Sequence, residues 1–237
     1  MTVATWNLFH GRTQPPTRAN LLGAFSAALA EREWDVCGLQ EVPPWWVAGL
    51  AAGTGSSARM ARTSLLRSAW PRAQAAIHDR DPERIGVRGA GANVVLVRPE
   101  AGRIDQHRMA VLRRAPQRRT LHAVRLVRPR GRGIWIANVH THNRPESQAA
   151  VDLVRALRVA RGWAGDERLV LLGDLNLTHP QGLASAEGFA WLHGQRVDHV
   201  LARGLRSDGG AYADRVQPRK DRTMSDHRMV GVRIADA

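Results

Sequence analysis

Cysteine and lysine are almost missing from this chain: Cys37 and Lys220 are the only ones among its 237 residues. A single cysteine excludes an internal disulfide, and its apolar neighbours at residues 36–39 indicate a small buried core residue. No run approaches the ~20 apolar residues that a helix needs to cross a bilayer. The N-terminus also lacks the basic and apolar segments of an export signal. We therefore expect a cytoplasmic protein without a transmembrane segment.

Basic charge, by contrast, is abundant and is almost entirely arginine. The formal net charge is +14 and the sequence pI is about 11.6. Nine arginines fall within residues 108–132: Arg108, Arg113, Arg114, Arg118, Arg119, Arg125, Arg128, Arg130 and Arg132. Such a surplus favours polyanionic partners, with nucleic acid first and an anionic membrane surface second. The alternative is that the arginines reflect coding bias and line solvated strand edges.

Apolar runs separated by polar residues predict eight strands. They lie at residues 3–8, 36–40, 93–97, 121–127, 134–140, 169–172, 197–201 and 229–234. Helical periodicity covers residues 18–33, with Thr17 as N-cap, and residues 146–163. Turn residues at 53–57 and 78–82 predict loops around a short helix. Because some strands follow one another directly and others alternate with helices, mixed sheets are expected. The length suits one domain over residues 1–237.

A Gly-Asp-x-Asn step follows the apolar run that ends at Leu172. Asp174 and Asn176 should emerge together at the C-terminal edge of a buried strand, with their side chains on one side. There Asp174 is suited to deprotonate a water, and Asn176 to donate to a phosphoryl oxygen. The same four residues are also ordinary turn chemistry, so the motif needs support from elsewhere.

Support comes from polar residues at the ends of the other predicted strands. They are Trp6-Asn7, Gln40-Glu41, the segment 138–143, Asp198-His199 and Ser225-Asp226-His227. In this order the motifs resemble the endonuclease/exonuclease/phosphatase superfamily of metal-dependent phosphoesterases, which includes pancreatic-type deoxyribonucleases, abasic-site endonucleases and sphingomyelinases. The resemblance extends from Trp6 to His227. It implies a four-layered α/β sandwich, in which two packed mixed β-sheets are flanked by helices.

The resemblance also implies a cation and its ligands. Glu41 matches the principal carboxylate ligand for Mg²⁺ or Mn²⁺, and Asn7 and Asp226 should lie nearby. Oxygen ligands suit these hard ions better than zinc. Without the other motifs, Glu41 would be read as an exposed acid at a strand end.

The remaining matches concern the reaction itself. Asp198 and His227 resemble the carboxylate and imidazole pair that acts on the scissile phosphate. His140 matches the second histidine of the nuclease and sphingomyelinase branches, whereas His142 is expected to be only a neighbour. Arg119 resembles the phosphate-contacting arginine of pancreatic-type members, and Asn176 is the second expected phosphate contact.

Two departures from the pancreatic-type pattern affect the substrate. Gly91 stands where those enzymes have the glutamate that supports the second histidine, so the partner of His140 is missing or supplied elsewhere. Pro43 replaces the arginine that enters the DNA minor groove. Beside Glu41, the pair Trp45 and Trp46 could stack on a base, lie on lipid or pack in the core.

These observations favour a metal-dependent phosphodiesterase that hydrolyses nucleic acid, with a DNA endonuclease of low sequence specificity as the leading hypothesis. One alternative keeps the chemistry on another substrate: a phospholipase of sphingomyelinase type or an inositol-phosphate phosphatase, with peripheral membrane contact through the tryptophans. A second alternative is a non-catalytic nucleic-acid-binding module. The complete set of acidic and histidine motifs argues against that module.

Overall fold

The structure is a computed structural model that describes residues 1–17, 19–63, 76–77, 91–127, 133–217 and 222–237. Its strands are β1 Thr2–Asn7, β2 Thr13–Gln14, β3 Val36–Val42, β4 Ser57–Arg62, β5 Ala92–Val97, β6 Arg103–Arg113, β7 Arg119–Val127, β8 Ile134–His140, β9 Arg168–Asp174, β10 Ala190–Gln195, β11 Asp198–Arg203, β12 Leu205–Ser207, β13 Tyr212–Asp214, β14 Thr223–Met224 and β15 Met229–Asp236. Its helices are α1 Leu22–Ala30, α2 Val47–Thr54, α3 Glu146–Ala164 and α4 Gln181–Ala186.

Two large sheets form the centre of the molecule. The first has the strand order β12-β15-β1-β3-β5-β4, with β13 also paired to β15, and the second has the order β10-β11-β9-β8-β7-β6. Each contains one parallel pair, β1 with β3 and β8 with β9, among antiparallel neighbours. Parallel strands end at the same edge of a sheet, so each parallel pair delivers two strand ends to one place.

The sheets pack face to face through small branched side chains. This interior cluster includes Val3, Val36, Val95 and Val232 from the first sheet and Val124, Ile136, Val170 and Val200 from the second. The helices α1 and α2 cover the outer face of the first sheet, and α3 and α4 cover the outer face of the second. Central strands are therefore buried on both faces, which explains their continuous apolar runs. The expected four-layered α/β sandwich is confirmed.

Several element bounds differ from the sequence prediction. α1 begins at Leu22 with Leu21 rather than Thr17 as its N-cap; Asn20 Oδ1 accepts the Leu22 N–H, and the Thr17 hydroxyl accepts from Ala19 upstream of the helix. The predicted loop at 53–57 is instead the junction of α2 and β4, where Gly55 adopts a left-handed φ of 63°. The loop predicted at residues 78–82 lies outside the described residues. Among the helices that the structure describes, none has the length and apolar character needed to span a membrane.

Candidate active site

Five strands bring polar side chains to one end of the sandwich. β1 ends at Asn7, β8 at His140 and β9 at Asp174, and β11 begins at Asp198. The register places His140 opposite Asp174 and Asp174 opposite Asp198. Glu41 lies one residue before the end of β3, next to its parallel partner β1. Residues that are far apart in sequence thus meet at the edge expected from their positions at strand ends.

One carboxylate oxygen, Asp174 Oδ2, is the point where these side chains converge. It lies 3.0 Å from Asn7 Nδ2, 3.4 Å from His140 Nε2 and 3.8 Å from His227 Nε2. The strand before it requires glycine, because Gly173 has a φ of 146° and an added Cβ would overlap the Val139 carbonyl oxygen. This close approach of β9 to β8 places the Asp174 and His140 side chains within reach of each other.

Asp198 and His227 form the expected pair. His227 Nδ1 lies 2.8 Å from Asp198 Oδ2, and the Ser225 hydroxyl accepts the His227 backbone N–H at 3.0 Å. Burial disfavours the charged ring, but the hydrogen bond and charge of Asp198, with Asp174 close by, outweigh burial and raise the pKa of His227 to about 10. The imidazole is therefore protonated at neutral pH and presents its Nε2–H toward Asp174.

His140 has the opposite charge state. Burial, followed by the nearby cations Arg119 and His227, holds its pKa well below the ordinary value of 6.5. Its Nδ1 faces Glu41 Oε1 at 3.9 Å. One site therefore holds a neutral and a protonated imidazole, a separation typical of groups with different roles in proton transfer.

Glu41 lies close to two other carboxylates, those of Asp174 and Asp226. Burial, together with the charges of Asp174 and Asp226, raises its pKa to about 7. A divalent cation would remove this repulsion, and carboxylate and amide oxygens are the ligands that Mg²⁺ and Mn²⁺ prefer. The donor set at this edge therefore fits the hard cation expected from the sequence.

A second group of ligand-type atoms lies in the same site. Atoms of Asp174, Asp198 and His227 come within 4.8 Å of one another. His227 Nδ1 and Asp198 Oδ2 are already hydrogen-bonded to each other at 2.8 Å, so these two atoms are not free to bind an ion. We therefore interpret this group as a hydrogen-bonded acid and imidazole pair rather than as the metal centre.

Arg119 is a buried guanidinium that has no acidic partner in the described part of the chain. Only 7% of the residue is exposed, and among the residues that the structure describes no carboxylate lies within ion-pair distance and Nε has no hydrogen-bond partner. Its Nη2 donates to the neutral Gln117 Oε1 at 2.7 Å. Burial lowers its pKa, and more distant attraction to Asp174 and Glu41 only partly opposes this. A buried cation of this kind is a ready binding group for an anion.

The other arginines of residues 108–132 do not share one environment. Arg113, opposite Arg119 in the β6–β7 register, binds the buried Asp152 with Nε at 3.1 Å from Oδ1. Arg125 is held by two acidic side chains at 2.5 and 2.6 Å, whereas Arg108 and Arg114 are exposed. Arg128, Arg130 and Arg132 lie outside the described residues. Within residues 108–127, the exposed arginines are Arg108 and Arg114, and no ion pair with an acid holds either of them there.

Asn176 and His142 flank the site. The Asn176 N–H donates to Asp174 Oδ1 at 3.1 Å, and its Nδ2 donates to the Thr141 carbonyl at 3.2 Å. Asn176 therefore forms the backbone contact of a turn and also lies next to Asp174. His142 is buried, and its backbone N–H donates to Asp152 Oδ2 at 3.1 Å. Of the two histidines, His140 is the one that contacts Asp174.

Two neighbouring residues were not singled out from the sequence. His10 Nε2 lies 3.2 Å from Glu41 Oε2, and Asp152 joins α3 to Arg113. His10 follows the Trp6-Asn7 motif closely, but a lone histidine in a turn has no diagnostic spacing. Asp152 looks like part of the solvated face of an amphipathic helix.

The two tryptophans beside Glu41 have different environments. Trp46 is buried and packs on Phe25 with ring centroids 5.6 Å apart. Trp45 is partly exposed and packs against the rim of the same cluster. Only Trp45 is therefore placed to offer a surface to a base or a lipid.

The four-layered sandwich and the polar edge of its sheets together have the organisation of a phosphoesterase. A model of the Endonuclease/Exonuclease/phosphatase family matches residues 4–227. The chain therefore belongs to this family, whose members hydrolyse phosphoester bonds and generally depend on a divalent metal. No curated protein sequence matches the chain.

Solved structures agree on the fold. D. rerio TDP2 complexed with single-strand DNA product has a TM-score of 0.71 at 13% identity, covering 99% of this chain and 98% of that chain. A mannosyl-6-phosphatase from Bacteroides thetaiotaomicron has a TM-score of 0.68 at 13% identity, covering 99% of both chains. A functionally unknown protein from Enterococcus faecalis has a TM-score of 0.72 at 14% identity over 100% of both chains. At this identity the likeness shows the fold alone.

Proposed function

We propose that this protein is a divalent-metal-dependent phosphodiesterase that hydrolyses nucleic acid, with DNA as the expected substrate and little sequence preference. The observation that carries the proposal is the convergence of Asn7, His140 and His227 on Asp174 Oδ2. It places a base, a neutral imidazole and a protonated imidazole around one point. Arg119, which forms no ion pair with the described acids, lies close enough for its charge to interact with that of Asp174.

The proposed reaction assigns each group one task. Asp174 accepts a proton from the attacking water, and protonated His227 gives its Nε2 proton to the leaving oxygen. Asp198 orients that ring and stabilises its charge through the 2.8 Å contact. His140, which is neutral, is placed to hydrogen-bond to the phosphoryl group. A cation held by Glu41, Asp226 and the Asn7 amide oxygen would neutralise charge on the phosphoryl oxygens.

Two side chains are proposed to bind the phosphate. Arg119 supplies a charged fork without a competing carboxylate among the residues that the structure describes. Asn176 directs one of its two amide protons to Thr141, so the second remains for a phosphoryl oxygen. Donors fixed in this way stabilise charge that develops in the transition state.

The preference for nucleic acid rests on charge. A net charge of +14 favours long polyanions, and exposed Arg108 and Arg114 offer phosphate contacts. TDP2, which shares the fold, was solved with a single-strand DNA product. Burial of Trp46 leaves one tryptophan rather than two for contact with lipid, which weakens the sphingomyelinase alternative. The absence of a groove-entering arginine at Pro43 supports low sequence preference.

A substrate panel tests the proposal. Purified protein is incubated with supercoiled plasmid, single-stranded DNA, RNA, sphingomyelin, an inositol phosphate and a sugar phosphate, with Mg²⁺, Mn²⁺ or chelator. We expect metal-dependent cleavage of nucleic acid in preference to release of phosphocholine or inorganic phosphate. Robust release of either small product without nuclease activity would overturn the substrate assignment. Glu100→Gln is the matched control, because Glu100 is exposed beyond the opposite end of β5.

A further inference from the structure

His10 and Glu41 form a contact that the roles proposed above do not use. His10 Nε2 lies 3.2 Å from Glu41 Oε2, while Glu41 Oε1 faces His140 at 3.9 Å. The carboxylate therefore lies between two imidazoles, one on each oxygen. Both of these histidine side chains are largely buried, with 14% of His10 and 6% of His140 exposed.

Both members of this contact have uncommon backbone conformations. His10 has a φ of 55° and Glu41 a φ of 53°, in the left-handed region that side chains other than glycine rarely adopt. A residue in this conformation is strained and persists only where its surroundings hold it. The turn is held by Asn7, whose Oδ1 accepts the Phe9 N–H at 2.9 Å, and by the Leu8 N–H, which donates to the Gln40 carbonyl.

Position 91 lies next to this contact and is closely surrounded by its neighbours. A Cβ on Gly91 would approach the Thr63 hydroxyl to 3.1 Å and His10 Cε1 to 3.6 Å. A long acidic side chain at this position would therefore compete with the His10 ring for the same volume. The glycine at position 91 therefore leaves the His10 ring room to lie beside Glu41.

We infer that His10 is a positioning residue, which donates a hydrogen bond to Glu41 Oε2 and so fixes the carboxylate with Oε1 directed into the site. The inference rests on the proposed function only in taking Glu41 as the metal-binding acid. A hydrogen-bond partner behind a ligand restricts its rotation and reduces the entropy lost when the cation binds. Loss of such a partner typically weakens metal affinity by about 10–100-fold.

The test measures Mn²⁺ affinity without substrate, from the electron paramagnetic resonance signal of free Mn²⁺. We expect His10→Leu to raise the Mn²⁺ dissociation constant by about 10–100-fold. His10→Gln, whose amide can donate a hydrogen bond from a similar distance, should stay within about threefold of the native protein. His107→Leu is the matched control, because His107 is a half-buried histidine whose described partner is His122 rather than an acid. Melting temperatures in chelator establish that each variant folds.

A double variant separates positioning from direct ligation. If His10 acts through Glu41, adding His10→Leu to Glu41→Gln should weaken Mn²⁺ binding no further than Glu41→Gln alone. The inference is overturned if His10→Leu leaves affinity unchanged, if the two losses add, or if His10→Gln is as damaging as His10→Leu. Nuclease activity is a separate readout: a protein that shows this Mn²⁺ dependence but cleaves no nucleic acid would refute the proposed function and leave the inference standing.

Discussion

Replacing Arg119 by methionine should stabilise the fold while it removes activity. A buried guanidinium that has no acidic partner among the described residues has lost much of its hydration, and burial lowers its pKa in spite of the attraction of Asp174 and Glu41. Replacing a buried ion pair by apolar side chains of similar volume is often neutral or stabilising by about 1–4 kcal/mol, and we take the same range for this single buried cation. Taking about 2 kcal/mol, and roughly 2–4 °C per kcal/mol for a chain of this size, the melting temperature should rise by roughly 4–8 °C.

Arg113→Met is a control in the same strand pair, and it should change the melting temperature in the opposite direction. Its fork binds the buried Asp152, so Arg113→Met leaves a carboxylate with only the His142 N–H among the partners described. Breaking a buried pair costs about 3–5 kcal/mol, and the 21% exposure of the Arg113 side chain places it at the lower end. The melting temperature should fall by roughly 6–12 °C.

Melting is followed by circular dichroism in chelator, so that bound metal does not contribute. Plasmid nicking with Mg²⁺ gives the activity, which should fall at least about 100-fold in Arg119→Met because a donor to the developing charge is lost. If Arg119→Met destabilises the protein as much as Arg113→Met does, the guanidinium has a structural partner and our account of it as an anion-binding group is wrong.

Three further predictions concern metal, pH and salt. Glu41→Gln should sharply raise the Mg²⁺ or Mn²⁺ concentration needed for half-maximal nicking; an unchanged requirement would exclude Glu41 as a ligand. His122 is fully buried, and burial lowers its pKa to about 3. Between pH 6.5 and 3, the His122 imidazole binds a proton only in the unfolded chain. The free energy of unfolding therefore decreases as the pH is lowered, and at pH 5 this residue accounts for about 2 kcal/mol of the decrease. Urea unfolding of His122→Leu should lack that part of the decline, and equal pH slopes would contradict the reasoning. Replacing both Arg108 and Arg114 by serine should reduce the slope of log affinity for duplex DNA against log salt by up to about 2 units; no change would show that neither contacts phosphate.

Central strands could be predicted because burial on both faces leaves a continuous apolar run. The run ending at Leu172 is the clearest case, and the structure continues that strand to Asp174. β6 was not predicted, because it is an exposed edge strand whose polar and arginine residues do not alternate clearly. Its existence depends on pairing with β7, which is a tertiary interaction.

The strand-end residues of the site could be predicted because parallel strands end at one edge. Asp174, His140 and Asp198 meet through strand register. The contacts that support them could not be predicted. His10 reaches Glu41 across 31 positions in sequence, and Asp152 reaches Arg113 across 39, so no local pattern records either pair.

Nicking of supercoiled plasmid by Asp174→Asn and His227→Ala, with His142→Ala as control, tests the central claim most directly. Asp174 is assigned to activate water and His227 to protonate the leaving oxygen, so each replacement should lower turnover by roughly 100-fold or more at saturating metal. His142→Ala should lower it far less: the alanine keeps the backbone N–H that donates to Asp152, and the described histidines in ion-pair distance of Asp174 are His140 and His227. Nicking at the native rate by Asp174→Asn, or an effect of His142→Ala as large as that of His227→Ala, would contradict the account.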